Sequence, residues 1–317
     1  MGKKSKRSSK QIETKDIKRN TGEQEASESS SSNTNVSVSM YHIFGSVSSV
    51  ILAAVIAILY SANQANVIKS FKGLDYAIIS EMPHDSKAFT QGLTYGNGYL
   101  YESTGMEGQS QVRRLDPNTG DILAAVDIPA HMFGEGITVF GEKRDKLIQL
   151  TWKHKVGFVY NATTLEVIRE FKFNTVTKEG WGITYNPDAR ELIVSDGSDF
   201  LYFWDEDTLQ EIRRLRVYDP RQPAKRFPLI NELEFIDGKI FANMWYRDFF
   251  LVFNPQDGAL LNMYVFEHLW PEEVRPDDAD CFNGISVSDV RGEYFVTGKN
   301  WPKMYRVKLK PMKPGQR

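Results

Sequence analysis

"FGEGITVFGEKRDKLIQLTW", residues 133–152, opens on an aromatic and a Gly-Glu-Gly, continues as a short alternating apolar run, turns through polar residues and returns as a second apolar run. Alternation with a period of two, broken by Gly and charged residues, reads as an antiparallel hairpin. One hairpin does not decide a fold, but this one recurs. "FTQGLTYGNGYLYEST" begins at Phe89, "EGWGITYNPDARELIVSDGS" at Glu179, "INELEFIDGKIFANMW" at Ile230 and "CFNGISVSDVRGEYFVTGKNW" at Cys281. The equivalent positions before the Gly-aliphatic step, or before Glu-Leu-Glu in the fourth copy, are Gln91, Glu135, Trp181, Asn231 and Asn283. Their spacings are 44, 46, 50 and 52 residues.

Each copy but the last continues with two more β-rich runs joined by turn chemistry. The third runs sit in "VRRLDPNTGDIL", "GFVYNATTLEVI", "LYFWDEDTLQEI" and "LVFNPQDGALL"; the fourth are "AAVDIPA", "REFKFNT", "RRLRVYD" and "LNMYVFE". Four short strands repeated at this period predict an all-β, five-bladed propeller, because a lone blade has two apolar faces and must be stacked. The last copy stops after its third strand, "KMYRVKLK", while an unassigned strand, "LDYAIISEMP" at residues 74–83, precedes the first. Pairing the two would close the ring and leave no open sheet edge. A misread β-sandwich is the alternative, which the even spacing disfavours.

In a propeller the first strand of every blade lines the axis, so the five equivalent positions meet at one level. Glycines there follow from converging backbones. Period two puts Phe89 on the face of Gln91, and Phe133 on the face of Glu135. The ends of the second strands add Trp152, Trp245 and Lys299. Any one tryptophan is explained by core packing. Trp152 and Trp245 at matching positions near Trp181 suggest an aromatic pocket, and a few polar groups converging in one mark a small-ligand site.

The chain has 317 residues, 41% hydrophobic and 25% charged, with a formal net charge of −2, which gives no case for nucleic acid. Residues 1–41 are basic and Ser-rich with few large apolar side chains, the composition of a disordered tail. No charged residue occurs from Ile43 to Ile68, and residues 43–61 as a helix would rise about 28 Å, close to a bilayer's hydrocarbon thickness. A cleavable signal peptide is the rival; the long head and the lack of a small-x-small site favour an uncleaved anchor at 42–62. Eight Lys or Arg against two acids in the first 19 residues keep that end cytoplasmic, a type II topology in a secretory-pathway membrane such as endoplasmic reticulum or Golgi. A linker at 63–73, a propeller at 74–311 and a tail at 312–317 would then be lumenal. "NATT" offers a glycosylation acceptor at Asn161. Cys281 is the only cysteine, so neither an internal disulfide nor a cysteine-cluster zinc site is available. The histidines after the anchor, His84, His131, His154 and His268, lie in separate motifs without metal-ligand spacing.

Together "AFTQGL", "FGEGIT", "EGWGIT", "NELEF" followed by "ANMW", and "TGKNW" resemble the plant and bacterial type of glutaminyl cyclase, over roughly residues 75–310. That resemblance implies a five-bladed propeller converting the N-terminal glutamine of peptides and proteins to pyroglutamate, with release of ammonia and no metal or other cofactor. It implies Glu135 as acid/base, with Lys299 and Asn231 acting on the carboxamide. It also implies a substrate pocket of Phe89, Gln91, Phe133, Trp152, Trp181 and Trp245. Trp152 matches only across a gap, because "GEKRDKL" is longer than usual. Two other readings of the residues stay open: a non-catalytic propeller binding a peptide or sugar, and a metal-dependent propeller hydrolase such as a lactonase, for which Gln91, Glu135, Asn231 and Asn283 could imitate a ligand set.

Overall fold

The computed structural model describes residues 74–312. The tail, anchor and linker expected at 1–41, 42–62 and 63–73 lie outside the described residues, as does all but the first residue of 312–317. Among the described residues no helix is long and apolar enough to cross a membrane.

Five four-stranded antiparallel sheets follow one another along the chain. Blade 1 comprises Thr90–Gly96, Tyr99–Thr104, Gln111–Leu115 and Ile122–Asp127, paired in that order; blade 2 comprises Gly134–Phe140, Lys146–Thr151, Val156–Asn161 and Val167–Lys172. Blade 3 comprises Ile183–Asn186, Glu191–Ser195, Phe200–Asp205 and Glu211–Arg216; blade 4 comprises Ile230–Ile236, Lys239–Met244, Phe249–Phe253 and Leu260–Val265. Blade 5 takes Phe282–Val287, Glu293–Gly298 and Lys303–Leu309 from the C-terminal end and Tyr76–Pro83 as its outer strand. Tyr76 pairs with Leu309 and Pro83 with Lys303, so the closure expected from residues 74–83 is present. The first strands contact one another in sequence around the axis, and blade 1 meets blade 5.

Burial falls from axis to rim. The first strand of blade 2 is buried at every position, whereas the fourth strands of blades 1 and 2 are largely exposed. The period-two pattern explains the core. Each middle strand sends alternate side chains to opposite faces, and each face belongs to a different interface between blades. In Phe200–Asp205, Tyr202 and Trp204 pack toward blade 2, while Leu201 and Phe203 pack toward blade 4. The five apolar clusters of the core correspond to the five interfaces.

One element was not expected. "RRLRVYD" does not run on as one strand: the fourth strand of blade 3 ends at Arg216, and Tyr218–Asp219 pairs instead with Gln222–Arg226 in a small hairpin. That second strand is exposed throughout and carries Pro223, so it lacks the apolar alternation by which a strand is read.

Candidate active site

Four of the five first strands carry a register shift at the same place: Thr90/Gly92, Gly134/Ile137, Ile230/Leu233 and Phe282/Ile285. Gln91, Glu135, Asn231 and Asn283 sit in these bulges. A bulge places two residues opposite one and re-aims a side chain, which is how strand residues come to face the end of the axis. In blade 3, Trp181 precedes the strand and its carbonyl accepts the Gly136 N–H at 2.7 Å. The two glycines flanking Glu135 have a plain cause. A Cβ on Gly134 would lie 2.6 Å from the Thr104 carbonyl oxygen, and one on Gly136 would lie 2.6 Å from that of Trp181.

All nine residues anticipated for catalysis and substrate binding line one cavity of about 200 Å³: Glu135, Lys299, Asn231, Phe89, Gln91, Phe133, Trp152, Trp181 and Trp245. This is smaller than the roughly 300–1,000 Å³ of sites for drug-sized ligands and suits a single side chain with its backbone amine. Asn161 lies elsewhere, at the end of the third strand of blade 2, where its Oδ1 accepts the backbone N–H groups of Thr163 and Thr164 at 2.8 and 3.0 Å. Asn283 is also separate. Its Nδ2 donates to the Thr90 carbonyl at 2.9 Å, tying blade 5 to blade 1, and the side chain does not line the cavity.

The cavity wall is an aromatic belt. Phe89 meets Phe133 edge-on at 6.1 Å, and Phe133 meets Trp152 at 5.6 Å. Opposite them, Trp181 meets Trp245 edge-on at 5.4 Å, and Trp245 stacks on Tyr246 at 4.6 Å. Glu179 joins the two arcs: the indole N–H groups of Trp152 and Trp181 both donate to its Oε2, at 2.8 and 2.9 Å. Lys299 is 3% exposed, with its ammonium 4.8 Å from the centre of the Phe89 ring.

Glu135 is 4% exposed and receives one long contact, 3.4 Å from Gln91 Nε2. Burial holds its pKa well above the usual carboxylate range; the Lys299 ammonium pulls it down and the Glu179 carboxylate pushes it up. Two further oxygens, Gln91 Oε1 and Asn231 Oδ1, are buried without a hydrogen-bond partner. Unpaired buried acceptors are costly, so a ligand that supplies N–H donors relieves them.

Four lining or supporting residues were missed: Met106, Tyr246, Asp280 and Glu179. Two of these had a signal: Tyr246 directly follows the tryptophan of "NMW", and Glu179 opens the third copy at the position of Phe89 and Phe133. Glu232 and Glu234 were also passed over. Where the other first strands have glycine, blade 4 has Glu232, whose carboxylate fills the axis and accepts the N–H groups of Leu93 at 3.3 Å and Ile285 at 3.1 Å. Glu234, one layer further, accepts the Val287 N–H at 3.2 Å, and burial pushes its pKa to about 7. Among the described residues no three His, Cys, Asp or Glu side chains are grouped to hold a metal ion.

A family model described as glutamine cyclotransferase matches residues 50–309. The glutaminyl-peptide cyclotransferase of Arabidopsis thaliana is 37% identical over 236 residues, covering 74% of this chain and 71% of that protein. The crystal structure of Myxococcus xanthus glutaminyl cyclase is similar with a TM-score of 0.65 at 29% identity, covering 74% of this chain and 96% of that one.

Proposed function

The chain belongs to the glutamine cyclotransferase family, and from that membership and its cavity we infer that Glu135 is the acid/base of a glutaminyl-peptide cyclotransferase reaction. The activity is that of the family: the N-terminal glutamine of a peptide is closed to pyroglutamate and ammonia leaves. The observation that carries the assignment of residues is the pairing of one buried, weakly bonded carboxyl with two orphaned acceptor oxygens in an aromatic cavity of single-residue size.

Both reactants are in the substrate, so the site needs to fold one side chain rather than collect two molecules. Aromatic walls restrict the glutamine so that its amine faces its own carboxamide carbon, removing entropy from the barrier. Glu135 takes a proton from the amine as the new C–N bond forms. The tetrahedral centre then carries its charge on oxygen, where Lys299 stabilises it. Glu135 returns the proton to the carboxamide nitrogen, the old C–N bond breaks and ammonia departs. The elevated pKa of Glu135 brings it closer to that of an α-amine, around 8, which makes it a stronger acceptor for the first of these protons.

Gln91 Oε1 and Asn231 Oδ1 accept from the amine and from the carboxamide NH₂. A half-turn of the Asn231 amide exchanges oxygen for NH₂, so this side chain also serves the carboxamide oxygen as its charge develops. An N-terminal glutamate lacks the carboxamide donor and leaves an acceptor unpaired, which disfavours it.

The setting of the domain belongs to the same reading. Residues 43–61 anchor it as a single-pass type II protein in the endoplasmic reticulum, Golgi or another secretory-pathway membrane. The cyclase domain is lumenal and Asn161, at the end of the third strand of blade 2, carries a glycan. Protease protection of the domain in intact vesicles, and a glycosidase-sensitive mobility shift that Asn161→Gln removes, test both statements.

The test of the chemistry is ammonia release from a Gln-peptide by the full chain with Glu135→Gln, which is nearly isosteric. A loss of about 10²- to 10⁴-fold in kcat with an unchanged melting temperature is expected. Wild-type turnover would overturn the role of Glu135. Repeating the assay with a chelator separates a metal-dependent enzyme, which would lose activity, from the metal-independent reaction described.

A further inference from the structure

The cavity holds one residue, yet the substrate is a peptide whose chain must leave by the mouth. Two mouth residues, Tyr246 and Asp280, also line a second, larger trough of about 700 Å³. The still larger depression on the flank of blade 4, around Tyr218 and Met263, shares no residue with the cavity. Continuity therefore selects the trough beside Asp280 as the path of the departing chain.

Its wall is the connection from blade 4 to blade 5, residues 266–281, the longest inter-blade connection among the described residues. Long connections without sheet structure of their own are commonly binding loops. The trough is strongly acidic. Glu267, Glu272, Glu273 and Asp277 line it with Asp280, and none of the five forms a salt bridge among the described residues. Of its two arginines, Arg275 is held inward, paired with Asp248 and 4.8 Å from the centre of the Trp301 ring. Arg247 alone is left to offset five carboxylates. At the threshold, Tyr246 is 61% exposed, stacked on Trp245 and held in the left-handed region at φ 58°. Bulky residues adopt that backbone only when the surroundings impose it. The result is an aromatic shelf between cavity and trough.

We propose that this trough receives the residues following the N-terminal glutamine and selects peptides that carry Lys or Arg there. The proposal rests on the cyclase reading and adds to it a substrate class. Lysine and arginine stems lie along the Tyr246 ring while their charges meet the acidic wall. Such a field acts at range, raising the encounter rate with cationic peptides at low salt and fading as ions screen it.

The experiment compares Gln-Lys-Lys-Ala, Gln-Ala-Ala-Ala and Gln-Glu-Glu-Ala as substrates of the full chain at 20 mM to 500 mM salt, the concentrations being about those that span weak to strong screening. The basic peptide is expected to exceed the acidic one about tenfold in kcat/KM at low salt, mainly through KM, with the gap closing at high salt. The double variant Glu272→Lys/Glu273→Lys, exposed on the 3-10 turn Glu272–Val274, is expected to abolish or reverse that order. Equal wild-type rates for all three peptides would overturn the groove and leave the cyclase standing. A preference that survives the double variant would also overturn it. Failure of all three peptides to cyclise would instead remove the cyclase reading and the groove with it.

Discussion

Trp152 and Trp181 come from different blades, yet their indole N–H groups donate to the same oxygen, Glu179 Oε2, at 2.8 and 2.9 Å. The carboxylate fixes two walls of the cavity at once. Its charge also favours the protonated form of Glu135, against the pull of Lys299. Glu179 touches no reacting atom and acts only through its neighbours.

Two substitutions separate those effects. Glu179→Gln keeps an acceptor for the indoles but removes the charge, so Glu135 ionises at lower pH. The acid limb of kcat/KM is expected to move to lower pH with KM altered only a few-fold. Glu179→Ala removes the acceptor too; a hydrogen bond to a charged group is worth about 1.5–3 kcal/mol, and KM is expected to rise at least tenfold. The pH profiles of the three proteins are the measurement. An acid limb that stays put in Glu179→Gln would show that its charge does not reach Glu135.

The contrast between these residues and the anticipated ones marks what a sequence exposes. Glu135 and Asn231 were readable because each sits at a repeated position, and repetition converts distant positions into neighbours. Glu179 stands in the third copy at the position of Phe89 and Phe133, and was passed over because a carboxylate there does not match the aromatics of the other two; Asp280 occupies a connection between blades, where no copy constrains another. Asn283 marks the limit of the repeat as a guide: it shares the repeat position of the site residues, but its side chain is committed to Thr90 at the seam of the ring. The bulges were invisible because one extra residue in a first strand is absorbed into the uneven spacing of 44–52. Glu232 was hidden by its company, since a buried axial carboxylate within "NELEF" looks like any alternating polar position.

Close packing of the first strands makes a sharper demand at Gly182. A Cβ there would lie 2.1 Å from the Asn231 carbonyl oxygen and 2.9 Å from Glu232 Cα, both backbone atoms of the next blade. They can yield only by moving the strand that carries Asn231. Gly182→Ala is expected to cost about 1–3 kcal/mol, as overpacking usually does, and to lower kcat/KM for Gln-peptides disproportionately. Thermal melts and kinetics on the same preparation check this. A variant that is destabilised but fully active would mean that the strand can shift without disturbing Asn231.

The seam of the ring carries a titratable pair whose effect on stability has a definite sign. His84 follows the closing strand Tyr76–Pro83; its Nε2 lies 2.8 Å from Glu102 Oε1 of blade 1, and its Nδ1 2.7 Å from the Trp301 carbonyl of blade 5. Burial, the largest influence, would lower the imidazole pKa, but the Glu102 carboxylate and the Trp301 carbonyl outweigh it and the net shift is upward from 6.5. Burial likewise pushes Glu102 up, while His84, Arg113 and Thr90 bring it to a net downward shift from 4.5. The folded protein thus holds the His84 proton to higher pH than the unfolded chain does. That stabilisation is complete below 6.5 and is lost as pH rises through the folded value; the Glu102 contribution is present above 4.5 and lost in acid. The closure should be tightest between these limits. His84→Gln, which cannot charge, removes one partner of a buried pair and is expected to cost about 3–5 kcal/mol near pH 6. At about 2–4 °C per kcal/mol for a domain of this size, the gap in Tm is easily measured, and it should narrow between pH 6 and pH 9, a range spanning roughly the ordinary His titration and beyond. A gap that stays constant over that range would mean that His84 keeps the same charge in the folded and unfolded chains, and that hydrogen bonding alone holds the seam.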